Sequence, residues 1–354
     1  MPQCHHIIYN WMTLHAFHTL LLTHGKDTVM VHDAVLMTLD KKRGELITGG
    51  ELSRTLNVSR NTVWKSISKL RADGHNIISH PNKGYSLDVA SDGLSKVLIE
   101  SQLNTMSIGR ELLVLKTVDS TNNYLKTLPS KSAKHGMTVV ANEQTGGRGR
   151  FDGREFSSLH NEGIYLSIIL KPQLPIQTLQ LLTFCAAVSV AKAIEEVCSL
   201  QPEIKWVNDI LLRGKKVCGI LSEVSLSAEL QLVDYAVVGI GINTGDLPLA
   251  LTDIATSISR ESGKTGMRNT LIAATLNHFE EAYLMLERGE DKQLLKEYEA
   301  HLCLIGRQVK VSSCGECLDM TVKGIDQNGA LVGVDTHGAE HHISAGEVTS
   351  FNRL

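Results

Sequence analysis

The chain has 354 residues, 42% hydrophobic and 21% charged; at roughly 150 residues per domain this allows two or three domains and rules out wholesale disorder or a fibrous chain. Lys+Arg total 35 against 38 Asp+Glu, a net charge of -3, which excludes a uniformly basic nucleic-acid coat protein but not a small basic module. The 7 cysteines are odd in number and scattered, as suits reduced thiols in a cytosol better than a secreted disulfide framework.

Residues 1–32 hold six of the 15 histidines and little other pattern. They read as a poorly ordered extension, with metal binding as the alternative. The most apolar stretch, Trp11 to Leu22, is about 12 residues long and contains His15 and His18, short of the ~18 residues of a membrane span. It also lacks a signal peptide's basic start, the first Lys or Arg being Lys26. The expected location is therefore cytoplasmic, with no membrane partner. Met30 is a candidate biological start, because periodic patterning begins just after it.

From 33 to about 92 the chain reads as short helices and a hairpin. Ala34, Val35, Leu36 and Leu39 share a helical face. Gly49-Gly50 precede a short helix over Glu51–Leu56, and Asn57-Val58-Ser59 makes a tight turn with Ser59 placed to cap the next helix. That helix, Arg60 to about Ala72, puts Val63, Ile67 and Leu70 on one face and Asn61, Thr62, Lys65, Ser66 and Lys69 on the other. Gly74 ends it. Ile77-Ile78 and Tyr85–Leu87 read as strands around the turn Pro81-Asn82-Lys83-Gly84. This is a winged helix–turn–helix. Residues 33–90 carry nine Lys/Arg against six Asp/Glu, the local positive charge that phosphate contacts need. Ser59, Arg60, Asn61, Thr62, Lys65 and the wing's Lys83 are the candidate DNA contacts; a module used only for protein contact is the alternative.

Residues 93–302 mix strands and helices. Strands are expected at Leu112–Leu115, Thr138–Ala141, Ile164–Leu170, Ile204–Val207, Val217–Val224 and Val233–Ile242. A buried helix is expected over Thr178–Cys198, with further helices at Thr270–Glu287 and Asp291–Leu302. Gly214 fits a hairpin turn between Ile210–Leu212 and Val217 onward. Residues 303–354 change character: Gln308–Ser312, Leu318–Ile325, Ala330–Asp335 and Glu340–Ile343 are short strands with turns at Asn328-Gly329 and His337-Gly338, which suggests a small barrel.

Three segments carry chemistry. Gln144 through Arg150 places three glycines and two arginines in a stretch that cannot hold a helix or strand, so it reads as an anion-binding loop; a solvated loop has the same composition. Lys205-Trp206-Val207-Asn208-Asp209 offers an amide and a carboxylate for a sugar, base or metal, and Lys216 a cation for a phosphate or carboxylate; an exposed basic hairpin is the plain alternative. Gly239-Ile240-Gly241-Ile242-Asn243 closes a strand and is not a dinucleotide fingerprint, and no Walker motif is present. Cys314-Gly315-Glu316-Cys317 with His341-His342 suggests zinc, but a hairpin turn with free thiols explains it as well.

In order, Asp119-Ser120-Thr121-Asn122, Gln144–Arg150, Lys205–Asp209, Lys216-Val217-Cys218-Gly219-Ile220-Leu221 and Gly239–Asn243 resemble the motifs of biotin–protein ligases. With the preceding winged helix–turn–helix, the chain resembles the bifunctional bacterial class that is both ligase and biotin operon repressor. The likeness covers about residues 33–354. It implies an α+β multidomain fold: winged helix–turn–helix, a mixed-sheet biotin/lipoate-ligase-like core and a C-terminal SH3-like β-barrel. It also implies ATP-dependent formation of biotinyl-5′-adenylate and transfer of biotin to a lysine of the biotin carboxyl carrier domain of acetyl-CoA carboxylase. The adenylate-bound homodimer would repress biotin synthesis genes at operator DNA.

By the same resemblance Ser120, Thr121, Asn122, Gln144, Gly149 and Gly219 bind biotin. Arg148, Arg150 and Lys216 bind it too and carry catalysis. Asn208, Asp209, Asn243 and Phe156 face the adenylate, and Asp209 helps place Mg²⁺. Two positions depart from the family pattern. Val207 stands where Pro is usual, and Phe156 takes the place of a Trp over the adenine with one residue inserted. The competing readings are a ligase with a vestigial DNA module, a non-catalytic biotin-sensing repressor and a lipoate ligase.

Overall fold

The computed structural model describes residues 30–129, 132–150, 153, 156–175, 178–227, 232–313 and 315–351. Residues 1–29 of the extension expected over 1–32, and Cys314 of the Cys-x-x-Cys pair, lie outside the described residues, whereas Val31 and His32 already belong to the first helix. The chain forms two units, one ending at Ser91 and the other starting at Asp92.

The first unit holds helices α1 (Val31–Lys41), α2 (Gly49–Thr55) and α3 (Arg60–Ala72) and the hairpin β1 (Ile77–His80) with β2 (Gly84–Leu87). Thr48 caps α2, its side chain accepting from the Glu51 amide at 3.0 Å, so the helix begins two residues before the expected Glu51. Ser59 caps α3 in the same way at 3.0 Å, as its sequence position predicts. Val35, Leu36, Leu39, Leu52, Val63, Ile67, Leu70, Ile77 and Leu87 form the core. Gly84 has φ +128°, and a Cβ there would lie 2.2 Å from the Ile47 carbonyl, so the wing needs glycine. Ser66 is buried at 7% exposure rather than on the polar face, and Trp64 takes the exposed place at 58%. The buried arc of α3 is therefore one residue wider than the spacing of Val63, Ile67 and Leu70 suggests.

The second unit is built on a seven-stranded mixed sheet of order β3 (Leu112–Leu115), β4 (Thr138–Ala141), β5 (Gly163–Leu170), β9 (Leu232–Asn243), β8 (Lys215–Ser227), β7 (Asp209–Leu212), β6 (Glu203–Lys205). Only β3 and β4 run parallel. Strand alternation sorts the residues to two faces. Val140, Ile168 and Val238 point to the main core, which helices α6 (Leu181–Cys198), α8 (Arg268–Glu287) and α9 (Asp291–His301) complete. Val139, Ile169 and Val237 point the other way, onto Leu125 of the short helix α5 (Thr121–Thr127). Helices α4 (Lys96–Glu100), α5 and α7 (Ile258–Ser262) were not legible as helices, being five to seven residues long. Trp206 and Val207, expected to extend a strand, instead turn after Lys205.

One side chain anchors the start of this unit. Arg268, 1% exposed, donates from Nε and Nη2 to the Asp92 carbonyl and from Nη1 to the Gly163 carbonyl at 3.0 Å. It also donates to the amide oxygens of Asn142 at 3.1 Å and Asn161 at 3.2 Å. Burial lowers its pKa, and the Asp92 carboxylate opposes that.

A five-stranded antiparallel sheet follows, of order β13 (Glu340–Ile343), β12 (Leu331–Asp335), β11 (Glu316–Ile325), β10 (Gln308–Ser313), β14 (Glu347–Phe351). Its strands fit a small β-barrel. Strand β14 was not anticipated, because in Glu-Val-Thr-Ser-Phe only Val348 is buried. Val309, Val311, Met320, Val322, Leu331 and Val348 join the main core, and the Trp206 indole donates to the Gly329 carbonyl at 3.1 Å.

The two turns of this sheet are built alike. In each an aspartate accepts two backbone N–H groups with Oδ1 and meets a β13 histidine with Oδ2: Asp326 meets His342 at 3.0 Å, and Asp335 meets His341 at 2.8 Å. The His341 hydrogen bond, then the turn amides, hold the Asp335 carboxyl down to about 2. A depressed folded-state pKa adds stability that is complete above the unfolded value and lost as pH falls through the folded one. Asp335 therefore stabilises the sheet above about pH 4 and stops doing so near pH 2. Asp335→Asn is expected to remove this part of the acid sensitivity, so that the difference in Tm between wild type and variant shrinks as pH falls from about 4 to about 2. A constant difference across that range would contradict the assignment.

Candidate active site

The site lies on the sheet face opposite the main core. Three registered glycines make room for it. Gly219 of β8 pairs with Gly241 of β9, and Gly239 pairs with Leu221. A Cβ on Gly239 would lie 2.3 Å from Asn122 Oδ1, and one on Gly241 would lie 2.6 Å from the Phe156 ring. The glycines are thus the floor on which Asn122 and Phe156 rest.

Above this floor is a cleft of about 500 Å³, lined by Ser120, Thr121, Asn122, Gln144, Arg148, Gly149, Arg150, Phe156, Asn208, Lys216 and Gly219. A second space of about 540 Å³ shares Gly149, Arg150, Phe156, Asn208 and Lys216 and adds Lys205, Trp206, Asp209, Gly346 and Glu347. Apart from Arg148 and the two cations it shares with the second, the first end is polar and uncharged. The second gathers cations with two carboxylates.

At the uncharged end, Ser120 caps α5, the Thr121 amide donates to Gln144 Oε1 at 2.8 Å, and the Thr121 hydroxyl lies 3.1 Å from the same oxygen. Buried Ser167 of β5 lies 2.7 Å from Thr121 Oγ1 and 2.5 Å from Asn122 Oδ1. Asn122 donates to Glu223 Oε2 at 2.7 Å. Glu223 also pairs with Lys126 at 2.7 Å and with Arg148 at 3.1 Å. Burial pushes the Glu223 carboxyl up, but the hydrogen bonds from Lys126 and Asn122 and the Arg148 charge reverse this, so it titrates below the usual carboxylate range.

At the charged end, Lys216 Nζ lies 2.6 Å from Asp209 Oδ1. Arg150 donates to the Gly346 carbonyl at 2.9 Å, which ties the Gly-Arg loop to the C-terminal sheet. Burial draws its pKa down, and Asp209 and Glu347 draw it up. The Phe156 ring lies over Gly219 and Gly241, edge-on to Tyr165, where the two ends meet. Such a cleft suits a ligand with a neutral polar head whose anionic tail must meet a second anion.

The cleft thus gathers all but two of the candidate ligase residues. Asp209 lines the charged end alone, and Asn243 lies apart from both linings, buried with its amide on the Thr256 carbonyl at 3.1 Å. Asn208 donates to the Ile220 carbonyl at 2.9 Å. Sequence reasoning missed Ser167 and Glu223. The signal for Ser167 was a lone serine in the otherwise hydrophobic, wholly buried run Gly163–Leu170. Among the described residues, no group of three or more His, Cys, Asp or Glu side chains is placed to hold a metal ion. In the first unit, Arg60, Asn61, Lys65 and Lys83 are exposed, whereas the Ser59 hydroxyl is engaged by the Thr62 amide and hydroxyl.

A model of the biotin/lipoate A/B protein ligase family matches residues 114–243, and a helix–turn–helix domain model matches residues 32–86. The bifunctional ligase/repressor BirA of Bacillus subtilis is 35% identical over 305 residues, covering 85% of this chain and 93% of that protein. The chain belongs to the biotin–protein ligase family. The bifunctional ligase/repressor BirA of Escherichia coli is 29% identical to this ligase, with 82% of this chain and 88% of that one covered. The biotin protein ligase of Aquifex aeolicus, solved in complex with biotin and ATP, has a TM-score of 0.60 and 30% identity, covering 69% of this chain and all of the other. No helix among the described residues is long and apolar enough to cross a membrane.

The glycine floor of this ligase gives a direct test. Gly239→Ala forces a methyl group onto Asn122 in a packed site, a strain of roughly 1–3 kcal/mol. Biotin affinity measured by calorimetry is expected to fall about 10- to 100-fold, with the far-ultraviolet spectrum unchanged. Native affinity in this variant would mean that the Asn122–Gly239 contact does not shape the site.

Proposed function

We propose that the chain couples biotin to ATP in the cleft, giving biotinyl-5′-adenylate and pyrophosphate, and then passes biotin to a lysine of a biotin carboxyl carrier domain. The observation that carries this reading is the single cleft whose neutral polar end opens at Phe156 onto a cationic end. Ser120, Thr121, Asn122, Gln144, Gly149 and Gly219 would hold the ureido ring and chain of biotin. Its carboxylate would then lie toward Arg150 and Lys216. One carboxylate oxygen attacks the α-phosphorus, and pyrophosphate leaves with the P–O electron pair. Two anions must approach each other, so the need is fixed positive charge and alignment rather than an enzyme nucleophile. Asp209 orients the Lys216 ammonium for this. In the second step the carrier lysine's neutral amine attacks the acyl carbon, AMP leaves, and the amine's proton is lost.

On the adenylate side we assign Asn208, Asp209 and Phe156, with Phe156 under the adenine, and Asn243 through its hold on Thr256. Mg²⁺ would arrive with the nucleotide and neutralise phosphate charge. A single carboxylate, Asp209, suits that, since Mg²⁺ keeps most of its ligands as water and phosphate oxygen. Arg148 and Arg150 would close over the adenylate and keep water from the anhydride. We divide the chain, expected to break at 92 and 302, into a winged helix–turn–helix, a ligase core that takes Asp92 with it and an SH3-like barrel over 303–354, acting in the cytoplasm.

We further propose that the first unit binds biotin operator DNA as a ligand-promoted homodimer. Helix α3 carries Arg60, Lys65, Lys69 and Arg71 and no carboxylate, which supports a phosphate-facing surface. One such unit makes few phosphate contacts, so two on one duplex are needed for firm binding.

Lys216→Ala is expected to slow biotin-dependent ATP–pyrophosphate exchange about 10²- to 10³-fold, the usual effect of removing one preorganised charge contact. Exchange near the native rate would remove Lys216 from catalysis. Absence of biotinylated carrier with the unaltered protein, ATP and Mg²⁺ would overturn the ligase reading. For repression, operator affinity and sedimentation are both expected to rise when biotin and ATP are supplied together. Equal DNA affinity in both states would leave a ligase without that switch.

A further inference from the structure

The neutral end of the cleft is one continuous hydrogen-bonded path. It runs from Glu223 through Asn122 and Ser167 to the Thr121 hydroxyl, beyond which the Thr121 amide donates to Gln144 Oε1 at 2.8 Å and Gln144 Nε2 donates to Ser158 Oγ at 3.0 Å. Amides and hydroxyls can be strung in either direction. A carboxylate only accepts. With Glu223 at one end, Asn122 must turn its NH₂ group outward, where its nitrogen donates to Glu223 Oε2 at 2.7 Å and to the Leu221 carbonyl at 3.3 Å. Its carbonyl then faces Ser167. Both Asn122 N–H groups are engaged, so its amide offers the cavity only an acceptor. Glu223 is itself held from outside by Lys126 and Arg148.

A ureido ring is a carbonyl flanked by two N–H groups, and it needs acceptors and donors in a fixed pattern. A dithiolane ring offers neither. We propose that Glu223 is the positioning residue that fixes the polarity of this path, and thereby sets the site's affinity for a ureido head and its preference over a dithiolane. The proposal rests on the biotin reading of the cleft.

The test uses the full chain in ATP–pyrophosphate exchange, with biotin and with lipoic acid. Glu223→Gln has nearly the same shape but lets Asn122 flip. It is expected to raise KM for biotin about tenfold while kcat changes less than about threefold, the pattern of a weakened ground-state contact. The preference for biotin over lipoic acid should fall by a similar factor. Ser167→Ala interrupts the same path and should raise KM likewise. The double variant should be no worse than the poorer single one, because both break one path. Lys126→Ala, which removes only an outer partner of Glu223, should stay within about twofold of wild type.

Biotin-dependent exchange by the wild type is the precondition, and its absence overturns the ligase reading itself. Exchange by the wild type together with an unchanged KM in Glu223→Gln, or with additive effects of the two variants, overturns the role of Glu223 alone. If Glu223→Gln does not fold, Ser167→Ala decides: a raised KM for biotin supports the polarity path, and an unchanged one overturns it.

Discussion

A sheet covered on both faces has no natural place for a polar cleft, and this chain makes one by withholding side chains. The paired strands β8 and β9 bring Gly219, Gly239 and Gly241 to the same face, beneath α5 and Phe156. The seats of Asn122 and Phe156 depend on that absence. Asn122 descends onto Gly239, Phe156 lies over Gly219 and Gly241, and the other face of the same strands stays apolar and packed against α6. The alternation of β9 therefore carries two messages: valine and isoleucine for the core, glycine for the ligand.

The hydrophobic alternation also explains which parts of the fold were legible. Long buried strands and helices announce themselves through period, and β5, β8, β9, α6 and α8 lie within a few residues of their expected bounds. The winged unit was legible in part through Ser59, which marks a helix start by chemistry rather than by period, whereas the Thr48 cap went unread and α2 begins two residues early. Short helices such as α5 were not, because seven residues give fewer than two turns in which a period can show. Their placement is tertiary: α5 exists where Leu125 meets Val139, Ile169 and Val237.

The site was legible in its parts and not in its wiring. Arginine, lysine and glycine stand out in sequence, so Arg148, Arg150, Lys216, Gly149 and Gly219 were found, while Gly239 and Gly241 read only as the close of a strand. Ser167 and Glu223 were not, because a serine in an apolar strand and a glutamate near a strand end have ordinary explanations until α5 is set over them. The correction at Ser66 and Trp64 has a similar origin. Which residue of a helix is buried depends on the neighbour's width, and no spacing rule carries that information.

The anchor at Arg268 bears on where this protein can be divided. Its guanidinium is wholly buried, and two of its nitrogens rest on the carbonyl of Asp92, the first residue of the second unit. Cutting the chain on the far side of that residue would leave a buried cation short of acceptors, a far heavier penalty than any lost surface contact. A severed ligase core must therefore keep Asp92, although in sequence it looks like the tail of the DNA-binding module. The seam between the two halves belongs, energetically, to the enzyme.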